Sequence, residues 1–217
     1  RRAGGPPPGP RALGSPGLAG EPGPPPRRGL PPGSVRQDAA QAAAWFRKAA
    51  EQGNARAQFN LGLSYNNGEG VPKDFTQAVQ WYRKAAEQGH AGAQNNLGMK
   101  YIKGEGAPKD FARAAAWFRK AAEQGNANAQ NNLGMMYTNG DGVAKNLVIA
   151  YALQNLAQAA GNEFARSNLS KNEADMQASE IAAAQQLSRE MSKPGNLLKA
   201  LDNYAKHNPT KKGRRVQ

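Results

Sequence analysis

Apolar residues recur along this chain in a helical stripe that returns at a fixed distance. Ala57, Leu61 and Tyr65 are four residues apart, and the same triplet reappears 36 residues later and again after a further 36. This spacing places one side of an amphipathic helix against a core. A period of this length indicates one helical unit that is copied and stacked. The pattern therefore predicts an all-α solenoid of 36-residue helix-turn-helix repeats.

Each repeat is predicted to contain two helices, which we name helix A and helix B. Helix A carries the Ala-Leu-Tyr stripe. Helix B carries the motif Trp-Phe/Tyr-Arg-Lys-Ala-Ala-Glu-Gln-Gly, which begins at Trp45, Trp81 and Trp117. We expect each Trp to fill space between layers of small Ala side chains, and the Arg-Lys pair to point to solvent. The residues that precede the helices are predicted to be their N-caps. They are Asn54, His90 and Asn126 for helix A, and Asp74, Asp110 and Asn146 for helix B.

A glycine follows the stripe leucine in every copy of helix A, at Gly62, Gly98 and Gly134. Glycine inside a helix costs about 1 kcal/mol relative to alanine. Its repetition at one position predicts a close approach of a neighbouring helix, where a Cβ atom would clash.

The composition divides the chain into a repeat body and two arms. Asp38 and Gln41 fit a capping box that would start the ordered part. The arm at residues 1–36 is rich in Pro, Gly and Arg and is predicted to be disordered. Residues 177–192 predict an amphipathic helix that caps the open end of the stack. The solenoid is predicted at 37–192. It contains a partial repeat at 38–53, full repeats at 54–89, 90–125 and 126–161, and a degenerate half-repeat with the capping helix at 162–192. A basic tail follows at 193–217, with a short helix at 196–205.

The formal net charge of +13 belongs to the arms rather than the repeats. Residues 1–36 hold six Arg and one Glu, and residues 193–217 hold seven Lys or Arg and one Asp, which leaves the body only slightly basic. Basic arms attract phosphates without sequence specificity. The charge pattern therefore leaves attachment to nucleic acid or an anionic surface through the arms as an alternative function, and argues against a nucleic-acid-binding body.

The sequence lacks the residue sets that catalysis or metal binding needs. It has no Cys, its two His are His90 and His207, and no Ser or Thr lies in a nucleophile elbow. We therefore expect no enzymatic activity, no cofactor and no metal site. No apolar run is long enough for a transmembrane helix, and no signal-peptide pattern is visible. These patterns leave the compartment open.

The motifs together resemble those of the Sel-one-like repeat (SLR) family, a relative of the tetratricopeptide repeats. The matching elements are Leu-Gly-x-x-Tyr, then Gly-x-Gly-Val/Ala-Pro-Lys-Asp, then the helix B motif, over residues 38–169. The segment that begins at Ile181 also resembles the end of many bacterial members. The resemblance implies a right-handed α/α superhelix and a role in assembling other proteins. Cysteine-rich members have been associated with β-lactam chemistry, but this chain lacks those cysteines, so hydrolase-type activity is the least favoured alternative.

The resemblance also implies a site, because tetratricopeptide relatives bind ligands on the concave face lined by helix A. We therefore expect a monomeric, non-catalytic scaffold that binds a peptide or helix of a partner protein in this groove. Several asparagines in it could hydrogen-bond a peptide backbone, although solvated or intrahelical roles are equally open. The candidate partner-binding residues, aligned on the Leu-Gly-x-x-Tyr motif, are Arg56, Phe59, Leu63, Asn66, Asn67, Asn95, Met99, Ile102, Lys103, Asn128, Asn131, Met135, Thr138 and Asn139.

Overall fold

The computed structural model describes residues 32–208, with side chains from residue 38 onward. Residues 1–31 of the predicted N-terminal arm and residues 209–217 of the predicted basic tail lie outside this range. Within it the chain forms α-helices and no strand, as the repeat pattern predicts. The helices are α1 (Pro32–Glu51), α2 (Ala55–Asn67), α3 (Phe75–Glu87), α4 (Ala91–Lys103), α5 (Phe111–Glu123), α6 (Ala127–Asn139), α7 (Leu147–Ala159), α8 (Ala165–Ala174), α9 (Ala178–Met191) and α10 (Leu197–His207).

Helix A and helix B of each repeat pack as an antiparallel pair, and each B helix packs against the next A helix. The A helices are α2, α4 and α6, and the B helices are α1, α3, α5 and α7. The predicted N-caps are confirmed in both classes. Asn54 Oδ1 accepts a hydrogen bond from the Ala57 amide at 2.9 Å, and Asp110 Oδ1 accepts one from the Arg113 amide at 2.9 Å. Local sequence therefore sets where these helices begin.

The start of α1 differs from the prediction. Asp38 lies within α1, which begins at Pro32, so Asp38 is not an N-cap and the predicted capping box with Gln41 is wrong. Asp38 aligns with the N-caps Asp74 and Asp110 of the later B helices. In those repeats a loop from helix A ends at the cap, whereas at Asp38 the helix continues toward the N-terminus. Residues 32–36, assigned to the disordered arm from composition, belong to α1.

The glycines inside helix A lie against an aromatic ring or its replacement on helix B. A Cβ atom at Gly98 would be 2.7 Å from Phe118, and one at Gly62 would be 2.6 Å from Tyr82. Such distances are below van der Waals contact, so only glycine lets the two helices approach this closely. The predicted close approach is confirmed.

The aromatic residue buried by this packing is the one after the motif Trp, not the Trp itself. Tyr82 and Phe118 are fully buried, whereas Trp81 and Trp117 are half-buried and Trp45 is 70% exposed. Neighbouring residues on a helix point about 100° apart. The ring after the Trp therefore faces helix A, and Trp81 packs against the cluster formed by Ala50 of α1 and by Ala57 and Leu61 of α2. The expectation that every Trp fills the core is wrong for Trp45, because no helix precedes α1 in the described residues.

Arg83 and Lys84 of helix B are exposed, as the motif predicts. Arg83 Nη2 also donates a hydrogen bond to the Tyr101 hydroxyl at 3.0 Å, and so joins helix B to the next helix A. Lys84 Nζ lies 4.2 Å from the centroid of the Trp81 ring of its own helix. The arginine of the motif therefore helps to hold neighbouring helices together.

A ladder of glutamine side chains crosses the stack. The glutamine that follows the stripe alanine on helix A donates to a carbonyl near the end of the preceding helix B, and its own side-chain oxygen accepts from the glutamine of the next Glu-Gln-Gly. Gln58 and Gln94 thus each link three successive helices, whereas Gln130 makes only the first of these two bonds. The bonds are Gln58 to Ala50 O (3.1 Å), Gln94 to Ala86 O (3.1 Å), Gln130 to Ala122 O (3.3 Å), Gln88 to Gln58 (2.7 Å) and Gln124 to Gln94 (2.8 Å).

The C-terminal helices close the stack and then turn back along it. Helix α9 packs on α7 and buries Ala184, Leu187 and Met191, as its stripe predicts. Residues grouped with the basic tail from sequence form α10, which packs against α9, α7 and α5 and buries Leu197 and Leu201. Its first turn is held from a distance, because the Leu198 amide donates to Glu123 Oε2 at 2.8 Å.

Candidate functional site

The candidate residues on the A helices fall into three groups with different availability. The first group is apolar and partly buried against the core: Phe59, Leu63, Met99 and Ile102. Phe59 stacks on the His90 imidazole at a centroid distance of 4.5 Å. The packing of this group leaves only part of each side chain accessible to a partner.

The second group consists of asparagines that bond from one repeat to the next. Asn132 Nδ2 donates to Asn95 Oδ1 at 3.0 Å, and Asn168 Nδ2 donates to Asn131 Oδ1 at 2.9 Å. Asn95 and Asn131 are buried. The exposed Asn128 is joined in a similar way by Asn162, at 2.8 Å. These amides already serve the stack, so they are poor candidates for reading a peptide backbone.

The third group remains accessible. Arg56, Asn67, Lys103 and Asn139 are exposed, and Met135 is 43% exposed. Asn66 and Thr138 are half-buried. Thr138 Oγ1 donates to the Gly134 carbonyl at 3.1 Å.

A cleft of about 510 Å³ lies between α2 and α4 and collects several of these residues. We call it the α2–α4 cleft. Four predicted residues line it, namely Asn66, Asn67, Met99 and Lys103. Sequence reasoning missed the others that line it, which are Lys73, Phe75, Tyr82, Asn96, Lys100 and Glu105. They come from the loop, from helix B and from unselected positions of helix A, and only packing brings them to one place.

Charge in the α2–α4 cleft is predominantly positive. Lys100 Nζ is bound by Glu105 Oε2 at 2.7 Å and lies 4.0 Å from the centroid of the Phe75 ring. Lys73 Nζ lies 4.7 Å from the same centroid. The hydrogen bond from Lys100 lowers the pKa of the Glu105 carboxyl, and the charges of Lys100, Lys103 and Lys73 act in the same direction. One carboxylate thus faces three ammonium groups.

Two neutral polar groups also line the α2–α4 cleft. Burial raises the pKa of the Tyr82 hydroxyl to about 12, and a hydrogen bond with Asn96 acts in the opposite direction. Asn66 Nδ2 donates to Asn67 Oδ1 at 2.8 Å, but the buried Asn66 Oδ1 has no hydrogen-bond partner in the structure. A buried acceptor without a donor is unfavourable.

A smaller cleft of about 210 Å³ is lined by residues of α6, α7 and α8. Met135, Thr138 and Asn139 from the predicted set line it, together with Gln154, Asn168, Lys171 and Asn172. The remaining predicted residues lie outside both clefts: Arg56, Phe59, Leu63, Asn95, Ile102, Asn128 and Asn131.

The prediction also missed Phe164, which is 71% exposed. It lies 36 residues after Asn128, at the position that Arg56 and Gly92 occupy in earlier repeats. The repeat register could have identified it, because the degenerate half-repeat keeps Ala165 and Leu169 in the positions of the stripe. An exposed aromatic ring at a groove position is a candidate anchor for a partner.

The described residues hold no group of three or more His, Asp or Glu side chains arranged to bind a metal ion. None of the helices in this part of the chain is both long and apolar enough to cross a membrane.

Comparison with known proteins agrees with this architecture. The chain is similar to the Sel1 repeat protein of Oxalobacter formigenes (42% identity, TM-score 0.57, 61% of this chain and 54% of that one). It is also similar to c5321, a protective antigen of uropathogenic Escherichia coli strains with an SLR fold (31% identity, TM-score 0.55, 81% and 44%). A third similar structure is Helicobacter pylori cysteine rich protein B (27% identity, TM-score 0.50, 62% and 97%).

The chain spans about half the length of the first two of these proteins. No curated protein sequence matches it. The family model of the Sel1 repeat matches four successive segments, residues 27–54, 55–90, 91–126 and 127–162. These segments follow the repeats that the hydrophobic stripe predicts and cover most of the solenoid. The chain therefore belongs to the Sel1 repeat family.

Proposed function

We propose that the chain is a non-catalytic scaffold that binds an extended segment of a partner protein along the groove of its A helices. Sel1 repeat proteins are in general protein-interaction scaffolds and are typically non-catalytic. The observation that carries the proposal is the line of accessible side chains on this surface. These side chains are those of the α2–α4 cleft, those of the smaller cleft, and the exposed Phe164.

Two large apolar side chains make the proposal specific. Met135 is 43% exposed and Phe164 is 71% exposed, and both occupy groove positions in the repeat register. Large apolar and aromatic residues that become buried on binding dominate the affinity of many interfaces. Neither side chain is needed to fill the core, so both are expected to contribute to binding rather than to folding.

The test compares capture of partners by wild-type protein and by the double variant Met135→Asp/Phe164→Asp. We expect the variant to lose the partners that wild type recovers from cells of the source organism, as identified by mass spectrometry. Its thermal melt, followed by circular dichroism, should be nearly unchanged because both side chains are exposed.

Trp45→Asp is the matched control, because Trp45 is similarly exposed but lies on a B helix. This variant should retain the partners. Equal loss with both variants, or retention by the groove variant, would contradict binding in the groove. A collapsed melt for the groove variant would show that these residues belong to the core.

A further inference from the structure

Two lysines of the α2–α4 cleft lack a partner of opposite charge. Lys73 and Lys103 are exposed, and among residues 38–208 no carboxylate lies within salt-bridge distance of either ammonium group. The third lysine, Lys100, is already paired with Glu105. The cleft therefore has two ammonium groups available for an anion, beside a pair that is internally neutral.

Two of the three lysines in the cleft occur in only one repeat. The position of Lys103 is held by Asn67 and Asn139 in the neighbouring repeats. The position of Lys100 is held by Ser64 and Met136. Since the fold forms at those positions with uncharged residues, the two lysines are not required by the packing of the solenoid. Lys73, in contrast, recurs in every repeat and belongs to the common framework.

We propose that the α2–α4 cleft selects an acidic residue of the bound segment, whose carboxylate binds the ammonium groups of Lys73 and Lys103. This inference rests on the proposed function, because it names the chemistry of the segment that the groove binds. Opposite charges at such a site increase the association rate and exclude partners of the wrong charge.

The experiment selects binders of the full chain from a phage-displayed library of random peptides. Peptides recovered on wild type should be enriched in Asp and Glu. Lys103→Glu should abolish this enrichment and should weaken binding of a selected acidic peptide by about tenfold, as measured by fluorescence polarisation. The affinity of the acidic peptide for wild type should also fall as salt is added.

Lys109→Glu is the matched control. Lys109 occupies the position of Lys73 one repeat later and has the same placement over an aromatic ring, with its Nζ 4.7 Å from the centroid of Phe111. The control has the same change of charge outside the cleft, so acidic peptides should still be selected. Selection of neutral or basic peptides, or equal effects of the two lysine variants, would overturn the acidic preference and leave groove binding intact. If wild type selects no peptide, the proposed function fails, and the acidic preference fails with it.

Discussion

His90 caps α4 in the same way that Asn54 and Asn126 cap the A helices on either side. Its Nδ1 accepts a hydrogen bond from the Ala93 amide at 3.2 Å. An asparagine oxygen accepts at any pH, but the imidazole nitrogen accepts only when it carries no proton. One repeat therefore has a pH-sensitive cap where its neighbours have a pH-independent one.

The direction of this sensitivity follows from the pKa of His90. Burial lowers the pKa below its ordinary value of 6.5; the backbone hydrogen bond opposes this shift, and the positive charge of Arg56 adds to it. The folded state thus binds the proton more weakly than the unfolded state. The contribution of the cap to stability is fully present above the ordinary pKa and is lost as the pH falls through the lowered one.

We expect wild type to lose about 0.5–2 kcal/mol of unfolding free energy more than His90→Asn does when the pH is lowered from about 7.5 to 5, because an N-cap is worth about this much. Urea unfolding of both proteins at each pH measures the difference. His90→Asn copies the cap of the neighbouring repeats and keeps His207, so it isolates the cap. Parallel loss of stability in the two proteins would show that His90 does not act as a titrating cap.

At the scale of the element, the glutamine ladder shows what the third repeat lacks. Gln88 and Gln124 complete the ladder in the first two repeats, but the corresponding residue of the third is Ala160. As a result the buried Gln130 Oε1 has no hydrogen-bond partner. Because the third repeat has alanine in place of glutamine at this position, it lacks the hydrogen bond that would join Gln130 to the end of α7.

Ala160→Gln is expected to restore that bond and raise the unfolding free energy by about 1 kcal/mol. The backbone is already suitable, with φ −87° and ψ 11° at Ala160 against −82° and 6° at Gln88. Chemical denaturation measures the gain. Ala159→Gln, at the neighbouring exposed position, is the control and should change stability little, because its side chain points elsewhere on the helix. Similar effects of the two substitutions would mean that the gain does not come from the ladder.

Packing within helix B also decides which of two adjacent aromatic residues of the motif is buried. Sequence identifies Trp81 as the prominent residue, but packing buries Tyr82 beneath Gly62 and leaves Trp81 half-buried. Both residues suit a core by composition. Which of them faces helix A depends on the rotation of α3 about its axis, and the contact with Gly62 sets that rotation.

At the scale of the whole molecule, α10 joins the C-terminus to the middle of the stack. The Arg119 guanidinium binds the Asp202 carboxylate at 2.5 Å across a separation of 83 residues. Leu201 lies fully buried in the same core cluster as the repeats. Residues that composition assigns to a basic tail thus include an element of the folded body.

Leu201→Ala is expected to destabilise this body, since truncation of a buried leucine costs about 2–5 kcal/mol. Hydrogen exchange should show the greatest loss of amide protection in α10 and α9, because a repeat array unfolds most readily from its ends. Asn203→Ala, two residues away and exposed, should have an effect within about 0.5 kcal/mol. Unchanged exchange in Leu201→Ala would mean that α10 behaves as a tail in solution.

The binding surface also belongs to the whole molecule. Lys73 and Lys103 are 30 residues apart in sequence and come from a loop and a helix of different repeats, yet both line the α2–α4 cleft. Asn95 and Asn131, selected from the sequence for the same surface, are instead used between repeats. The choice between ligand contact and structural contact depends on neighbours that no local pattern specifies.

The sequence alone determined the features that act over short distances: the stripe of Ala57, Leu61 and Tyr65, the caps such as Asn54 and Asp110, and the glycine at position 98. An N-cap or a four-residue spacing involves atoms within one or two helical turns, so residue type and order are sufficient. The constant period of 36 residues then determined that the fold is a solenoid, because copied units bury their apolar faces on each other.

Only the tertiary structure decided which ring lies under that glycine, where α10 docks, and which polar groups remain unpaired. These outcomes depend on the rotation of each helix and on contacts between residues far apart in the chain. The accessible lysines Lys73 and Lys103 and the unpaired oxygen of Asn66 belong to this second class, because whether a polar group is satisfied is decided by all its neighbours together.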